Sequence, residues 1–463
     1  MVFFIGFIGG KPLNPTQKNN IFLRRETMNA ATLKQQIDQK PMNAFQWSVV
    51  AICICLNVID GFDVLVMAFT ASAVAKEWGL SGSEIGLLLS AGLFGMAAGS
   101  LTLAPQADRF GRKPVILLSL VVVSVGMILS SFSTSALELG VLRFITGLGI
   151  SGILASSNVL TSEFSSAKWR SLTISLQSAG YGIGATGGGL VSMYLIKAYG
   201  WQSVFLFGGL LSTAFIFVAL LRLPESLEFL LSQQPKAALV KAQKLTAKLS
   251  LPRLDVLPPK PQLNQQTPSG FCSLFGEGKT MPTLMIWAAF FLVMFAFYCI
   301  LSWTPKLLTG AGMTAEQGIS VGIWMNIGSM FGAVLIGFLG TRFNIKTVHA
   351  VFLLLTALLT LTFAQSLSQL SLAMALAFFL GSFANGSVAG LYAVAPTLYE
   401  SANRARGVGT AITLGRVGSI VSPMIIGFLL DAGWQPVGLF YLNAVVFALA
   451  ILAVLKLRKL KPV

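Results

Sequence analysis

The sequence predicts an all-α polytopic membrane protein with twelve transmembrane helices in two six-helix bundles, and three observations lead there. Of 463 residues, 55% are hydrophobic and only 10% charged, where a soluble domain carries about 25% charged residues. Apolar runs of the roughly 20 residues needed to cross a bilayer recur along the chain. Finally, a charged turn between two such runs, Asp108-Arg109-Phe110-Gly111-Arg112-Lys113-Pro114, returns half a chain later in altered form as Thr341-Arg342-Phe343-Asn344-Ile345-Lys346. A basic loop repeated at that distance means two similar bundles joined in tandem. A site at their interface can be exposed to one side and then the other by rocking, so solute transport is the leading expectation.

The expected spans lie near residues 46–72, 83–105, 114–134, 137–160, 171–196 and 202–222, then 282–304, 317–340, 346–365, 369–392, 407–430 and 437–456. Backbone groups in lipid must satisfy one another, and these runs do not alternate as barrel strands would, so each is read as a helix. The domain order is an N-terminal segment (1–43), a first six-helix bundle (44–222), a linker (223–281), a second bundle (282–458) and a tail (459–463). The linker holds Pro224, Pro235, Pro252, Pro258, Pro259 and Pro261 and no spanning run. Within it, Pro235 to Leu249 reads as one basic amphipathic helix lying along the membrane surface. Met1 to Gly10 are apolar but too short to span, and no cleavage site follows. Residues 1–27, ahead of Met28, read as an upstream extension of the reading frame or a disordered tail.

The net charge of +16 does not point to nucleic acid, because its placement follows topology. Arg109, Arg112 and Lys113 follow span 2, and Lys168 and Arg170 follow span 4. Seven Lys/Arg lie in the linker, Arg342 and Lys346 follow span 8, Arg404 and Arg406 precede span 11, and Lys456, Arg458, Lys459 and Lys461 close the chain. The other face holds little beyond Lys76, Lys197 and Lys306. Excess Lys/Arg marks cytoplasmic loops, so both termini and the linker are expected in the cytoplasm.

Metal and cofactor chemistry is not indicated, and neither a metal nor a cofactor is expected. Cys53, Cys55 and Cys299 lie in apolar spans and Cys272 in the linker, so no disulfide framework is expected. Cys53 and Cys55, two apart, point to different sides of a helix. His349 starts span 9 and reads as a snorkelling boundary residue.

The Asp108, Arg109, Gly111, Arg112 and Lys113 pattern, with Arg143, Gly147 and Gly152 in span 4 and Pro224-Glu225-Ser226 after span 6, resembles the major facilitator superfamily over residues 44–458. Ala104 stands where the loop signature usually has its first glycine. The second copy has Thr341 in place of the aspartate, so it lacks the carboxylate of the first. Glu163 before Arg170 is echoed by Glu400 before Arg406. Physically the loop can act as a conformational switch: Asp108 can pair with a nearby arginine and face the positive end of a neighbouring helix, in contacts that form in one state and break in the other. The bland alternative is that these charges only fix topology.

In span 1, Asp60-Gly61-Phe62-Asp63 resembles the Asp-Gly-x-Asp motif of the aromatic acid:proton symporter family, and the flanking run looks closest to its cis,cis-muconate and benzoate-type branches. The residues carry chemistry without the name. Asp60 and Asp63 are three apart on one helix face, and Asn57 extends it by a turn. Intramembrane carboxylates are costly and commonly relay protons, and burial beside a like charge favours the protonated form. Gly61 permits close approach of a helix or a substrate. A buried ion pair that only locks helices is the structural alternative. Arg416, in span 11 between Gly415 and Gly418, is the expected substrate anchor, because a guanidinium fork fits a carboxylate at two points. Arg143 reads equally as a second substrate contact and as the partner of an acid in the first bundle.

Further cavity candidates are Asn57, Asn158, Gln177, Tyr181, Tyr298, Trp324, Asn326, Asn385 and Tyr392, the few polar groups of an otherwise apolar pocket. Trp303 beside Pro305 is assigned to the outer aromatic belt. The run Gly180 to Gly189 reads as close packing or a flexible gate. The expectation is a proton-coupled importer of a small organic acid, either an aromatic carboxylate or a ring-cleavage dicarboxylate such as muconate. It would act as a monomer in the bacterial inner membrane, with the acid anion, protons and the bilayer as its partners. Another facilitator (sugar or drug) and a transporter-like aromatic-acid sensor are the alternatives. An enzyme is not expected, since no nucleophile–base pair or metal set occurs.

Overall fold

The computed structural model describes residues 7–8, 11–12, 30–252, 254, 256–258, 274–275, 280–367, 369–399 and 401–457. Most of residues 1–27, with Cys272, Glu400, Arg458, Lys459 and Lys461, lie outside these, and so do the expectations placed on them. Two short strands, β1 (Phe7–Ile8) and β2 (Lys11–Pro12), pair antiparallel. All other regular structure among the described residues is helical. Ahead of the spans comes α1 (Ala30–Gln39). The first bundle comprises α2 (Ala44–Trp78), α3 (Gly82–Thr102), a short α4 (Gln106–Phe110), α5 (Arg112–Ser130), α6 (Ala136–Phe164), α7 (Ala167–Tyr199) and α8 (Gln202–Arg222). The linker contributes α9 (Leu227–Ser232) and α10 (Ala238–Lys248). The second bundle comprises α11 (Thr280–Gly310), α12 (Ala315–Arg342), α13 (Ile345–Gln365), α14 (Leu370–Val394), α15 (Ser401–Asp431) and α16 (Pro436–Leu455).

Helix starts follow local chemistry. Asn43 with Gln46, Ser81 with Glu84 and Thr314 with Gln317 form reciprocal capping boxes at the heads of α2, α3 and α12, satisfying amides that lack a partner in the first turn. Eleven of the twelve long helices cross a bilayer by length and composition. The expected fifth span, α7, is not among them, because glycines, serines and Gln177 dilute its apolar content. Its 33 residues nonetheless pack as a full member of the first bundle.

Packing repeats between halves. In the first, α2 lies on α7, α3 on α6 and α5 on α8; in the second, α11 lies on α15, α12 on α14 and α13 on α16. Glycine permits each close approach. A Cβ on Gly184 would lie 1.9 Å from the Val58 carbonyl oxygen, and one on Gly61 2.0 Å from that of Tyr181. On the α12–α14 seam, a Cβ on Gly332 would lie 1.7 Å from the Ser382 carbonyl oxygen. Without a hydrophobic force between helices in lipid, such van der Waals contact between backbones drives association. The glycine run in α7 therefore serves close packing, with Gly180, Gly184 and Gly188 toward α2 and Gly182 and Gly189 toward Met330 and Ile323 of α12.

The bundles meet along α3–α15 and α7–α12. The polar contacts joining them lie in the half away from the linker. Asp431 accepts from the amides of Gly82 (2.6 Å) and Ser83 (2.8 Å). Lys197 pairs with Glu316 at 3.0 Å, Ser72 meets Thr309 at 3.2 Å, and Ser90 donates to the Ile420 carbonyl at 2.7 Å. Toward the linker the facing helices carry exposed apolar side chains such as Leu172, Ile174, Val334 and Phe338. Among the described residues the polar ties across the interface thus gather at the face away from the linker.

On the linker face a collar braces the first bundle. Asp38 of α1 pairs with Arg170, Lys40 Nζ donates to the Ser250 carbonyl, and Asn43 Nδ2 donates to the Lys248 carbonyl. Leu33 and Ile37 are buried beneath α1. The expected helix over Pro235–Leu249 is α10, which starts at Ala238 after Ala237 turns through a left-handed conformation (φ 61°).

Two outcomes test this packing. Gly184→Ala should destabilise the purified protein by about 1–3 kcal/mol through overpacking, whereas Gly187→Ala, where nothing lies within 4 Å, should leave its melting temperature unchanged or higher. Equal melting of the two variants would contradict the packing account. Asp431→Asn should loosen the sealed face, raising thiol labelling of a cysteine placed at Ser72, and unchanged labelling would show that Asp431 does not hold the seal.

Candidate functional site

Asn57, Asp60 and Asp63 lie at the middle of α2, each no more than 4% exposed, and Gly61 lets α7 approach this turn closely. The two carboxylates share a helix face yet meet different surroundings. Asp63 accepts from Arg143 Nη1 at 3.0 Å, with both side chains buried. Arg143 also reaches Met127 Sδ (2.9 Å) and stands over the Phe205 ring at 5.0 Å. Apolar neighbours Leu88, Leu89, Met96 and Ile150 enclose the pair. Of the two readings of Arg143, the geometry realises the partnership with an acid of the first bundle. A buried pair broken on one side costs about 3–5 kcal/mol, since a charge is left uncompensated.

Asp60 has no such partner. Its Oδ1 is buried without a hydrogen bond among the described residues, and the charges in its reach are Asp63 and, from the other bundle, Arg416. Arg416 is exposed to the open interface and forms no salt bridge among the described residues. Its flanking glycines explain how α15 seats it. A Cβ on Gly418 would lie 2.4 Å from the Phe291 carbonyl oxygen, and Gly415 rests on Met294 and Phe290, so α15 packs tightly on α11 there. Arg416 reaches Tyr298 and Tyr392 electrostatically, and Tyr181 reaches Tyr298 and Asp60. Phe290 supports Tyr392, edge to face, at 5.6 Å. A buried carboxyl, a cation and three phenols drawn from both bundles are thus linked by electrostatic interactions.

The remaining candidates divide. Gln177 donates to Ser157 Oγ at 3.0 Å while its Oε1 stays unpartnered among the described residues. Asn57 Nδ2 donates to the Cys53 carbonyl and Asn326 Nδ2 to the Gly322 carbonyl, each within its own helix. Asn385 Nδ2 donates to the Ser329 carbonyl at 2.8 Å, tying α14 to α12. Asn158 is exposed on α6. Trp324 lies in a groove with Ser371, Met374 and Phe378 on the α12–α14 flank, away from the central space. Trp303 is no belt residue: it is fully buried and donates to the Pro423 carbonyl at 3.1 Å. His349 does not snorkel, because its ring is buried against Gly390 and Ile336.

The charged loop differs from expectation in its decisive carboxylate. Asp108 pairs with Arg112 at 2.7 Å but is 71% exposed, one turn away along the same short segment. Arg112 Nη1 also donates to the Ala107 carbonyl, and Arg109 is exposed. The acid at a helix N-terminus is Glu225, whose Oε1 accepts from the amides of Arg112 (2.8 Å), Lys113 (3.3 Å) and Ser226 (2.8 Å). An i, i+4 partner captures Asp108, leaving the head of α5 to the acid that the linker brings. Gly111, at φ 105°, is required there, since a Cβ would lie 2.3 Å from Glu225 Oε2. Ser226 in turn donates to Glu163 at 2.6 Å. The sequence signal for Glu225 was Pro224-Glu225-Ser226, whose partner no spacing reveals. In the second half a neutral amide takes this place, Asn344 accepting from the Lys346 amide at 3.0 Å.

A family model described as the Major Facilitator Superfamily matches residues 50–364 and 321–463. The 4-hydroxybenzoate transporter PcaK of Pseudomonas aeruginosa is 32% identical over 402 residues, covering 86% of this chain and 89% of that one. The gallate transporter of Pseudomonas putida is 34% identical over 432 residues, covering 91% and 94%. The benzoate transport protein of Acinetobacter baylyi is 28% identical over 412 residues, covering 86% of each. In fold, the inward open conformation of the xylose transporter XylE from E. coli superposes with a TM-score of 0.68 at 16% identity, covering 90% of this chain and 97% of that one. A bacterial homolog of the human lysosomal transporter Spinster, inward-facing and unoccupied, gives 0.68 at 17% identity, covering 91% and 100%. The chain belongs to the Major Facilitator Superfamily, in the family of aromatic acid transporters that these relatives represent.

Proposed function

We propose that this transporter takes up a small monocyclic aromatic carboxylate together with protons across the bacterial inner membrane, as a monomer. The observation that carries the reading is the juxtaposition of Asp60 and Arg416, two groups on opposite bundles without a close ionic partner among the described residues. A lone charge in the membrane is costly unless something meets it. An acid anion would meet Arg416 at two points of its guanidinium, with Tyr298 and Tyr392 beside it, and a proton on Asp60 would remove the remaining charge. A neutralised cavity lowers the cost of occlusion, after which the bundles rock. Asp63 would keep Arg143 neutralised throughout and so act as a fixed post beside the titrating carboxyl.

The Lys/Arg-rich linker face is assigned to the cytoplasm, so the open face is cytoplasmic and the Asp431 seal external. Relatives named for 4-hydroxybenzoate, gallate and benzoate favour an aromatic ring over a ring-cleavage dicarboxylate such as muconate. Uptake into proteoliposomes of labelled benzoate, 4-hydroxybenzoate, gallate, muconate and xylose, with and without an imposed pH gradient, tests the reading. Gradient-driven accumulation of xylose alone would overturn it.

Asp60→Asn should abolish pH-driven accumulation while the protein still melts like wild type. Asp63→Asn should cost about 3–5 kcal/mol of stability by stranding Arg143. Wild-type accumulation by Asp60→Asn would remove Asp60 from the coupling path.

Arg416→Ala should weaken binding of the acid by about 1.5–3 kcal/mol, roughly ten- to over a hundredfold. Arg416→Lys should recover little, since an ammonium lacks the planar fork. Calorimetry on purified protein with an acid and its uncharged amide makes the comparison, and an unchanged affinity for the acid in Arg416→Ala would make Arg416 a structural residue.

A further inference from the structure

Away from the central space, a groove of about 540 Å³ lies on the linker face, between the ends of α5 and α8 and the helices α9 and α10. Its walls are apolar, built by Leu117, Leu223, Phe229, Leu230 and Leu245, and its rim carries Lys113, Lys241, Lys244 and Lys248. Lys241, Lys244 and Lys248 follow each other at helical spacing, so one face of α10 presents all three, and each is exposed. Lys248 lies close enough to Lys113 for the two to repel. Glu225, the one acid among the described lining residues, already accepts from three amides.

The position narrows the occupant. Spans α5 and α8 end at this level, and the neighbouring surface is apolar and open, with Leu221 79% and Leu118 and Val240 each 52% exposed. An occupant needs an anionic head at the lysine rim and an apolar body along the leucine wall. Soluble anions have only the first, and acyl chains alone only the second.

We propose that this groove binds an anionic diacyl phospholipid of the cytoplasmic leaflet, phosphate toward Lys241 and Lys244 and acyl chain along Leu117, Leu223 and Leu245. Basic clusters at the cytoplasmic boundary attract anionic headgroups by about 1 kcal/mol per lysine near the surface. The bound lipid would bridge α10 to the head of α5, beside the Glu225 cap, and so bear on the loop without touching the transport site. The inference rests on the cytoplasmic assignment of the linker face but not on the substrate or the coupling ion.

Native mass spectrometry of the intact protein, with equal phosphatidylglycerol and phosphatidylcholine added, tests it. Wild type should retain phosphatidylglycerol preferentially. Lys241→Ala/Lys244→Ala should weaken that retention roughly thirtyfold without changing that of phosphatidylcholine, and Lys241→Arg/Lys244→Arg should keep it. Lys113 and Lys248 are left intact, since one donates to the Leu220 carbonyl and the other stands over the Phe45 ring. Equal retention of the two lipids by wild type, or unchanged phosphatidylglycerol in the alanine pair, would overturn the proposal. Displacement of the lipid by inorganic phosphate at millimolar concentration would overturn it too, by reducing the groove to a general anion site. Because none of these readouts measures transport, failure here leaves the proposed substrate standing, and failure of that leaves the groove untouched.

Discussion

Backbone resting on backbone where glycine removes the side chain is the contact on which this molecule turns. Gly61 against Tyr181 and Gly184 against Val58 draw α2 and α7 together until no side chain fits between them. That closeness covers the turn of α2 around Gly61, while Asp63 is enclosed from α3 and α6. It also leaves the opposite side of α7 to meet α12 of the second bundle through Gly182 and Gly189. One helix thus has glycine on both sides, binding tightly within its bundle and offering a smooth surface across the interface. Smooth surfaces can part and rejoin without unthreading interlocked side chains, which suits an interface that opens and closes.

The two carboxylates of α2 show how surroundings divide identical groups. Asp63 meets Arg143 inside one bundle, where neither can separate without leaving a buried charge. Asp60, one turn earlier, is buried without such a partner among the described residues, and the cation within its electrostatic reach, Arg416, belongs to the other half. A pair contained in one bundle can stay made through rocking, whereas the distance between groups on two bundles changes with it. On this reading the first is framework and the second is machinery.

Much of this was legible in the sequence. The twelve long helices, their repeated packing and the intramembrane position of Asp60, Asp63 and Arg416 followed from hydropathy. Spacing told that Asp60 and Asp63 share a face, but not that only Asp63 has an arginine, since that depends on the register of α6 against α2. Glu225 could not be placed at the head of α5, because its partners lie over a hundred residues away. Trp303 and His349 misled for one reason: position along a span gives depth in the bilayer, and neither rotation about the helix nor what packs against it. The fifth span, expected over 171–196, is present as α7, although its polar glycine-rich run is weak by hydropathy because close packing replaces apolar side chains.

The caps at the heads of α5 and α13 occupy matching places in the two halves, yet one uses the carboxylate of Glu225 and the other the amide of Asn344. A carboxylate at a helix head works partly through its full charge on the helix dipole, and that part fades as dissolved ions screen it. A neutral amide works by hydrogen bonding and is nearly indifferent to the electrolyte. The duplicated frame therefore carries a charged cap at one helix head and a neutral one at its counterpart, so any effect of ionic strength on capping falls on the first alone.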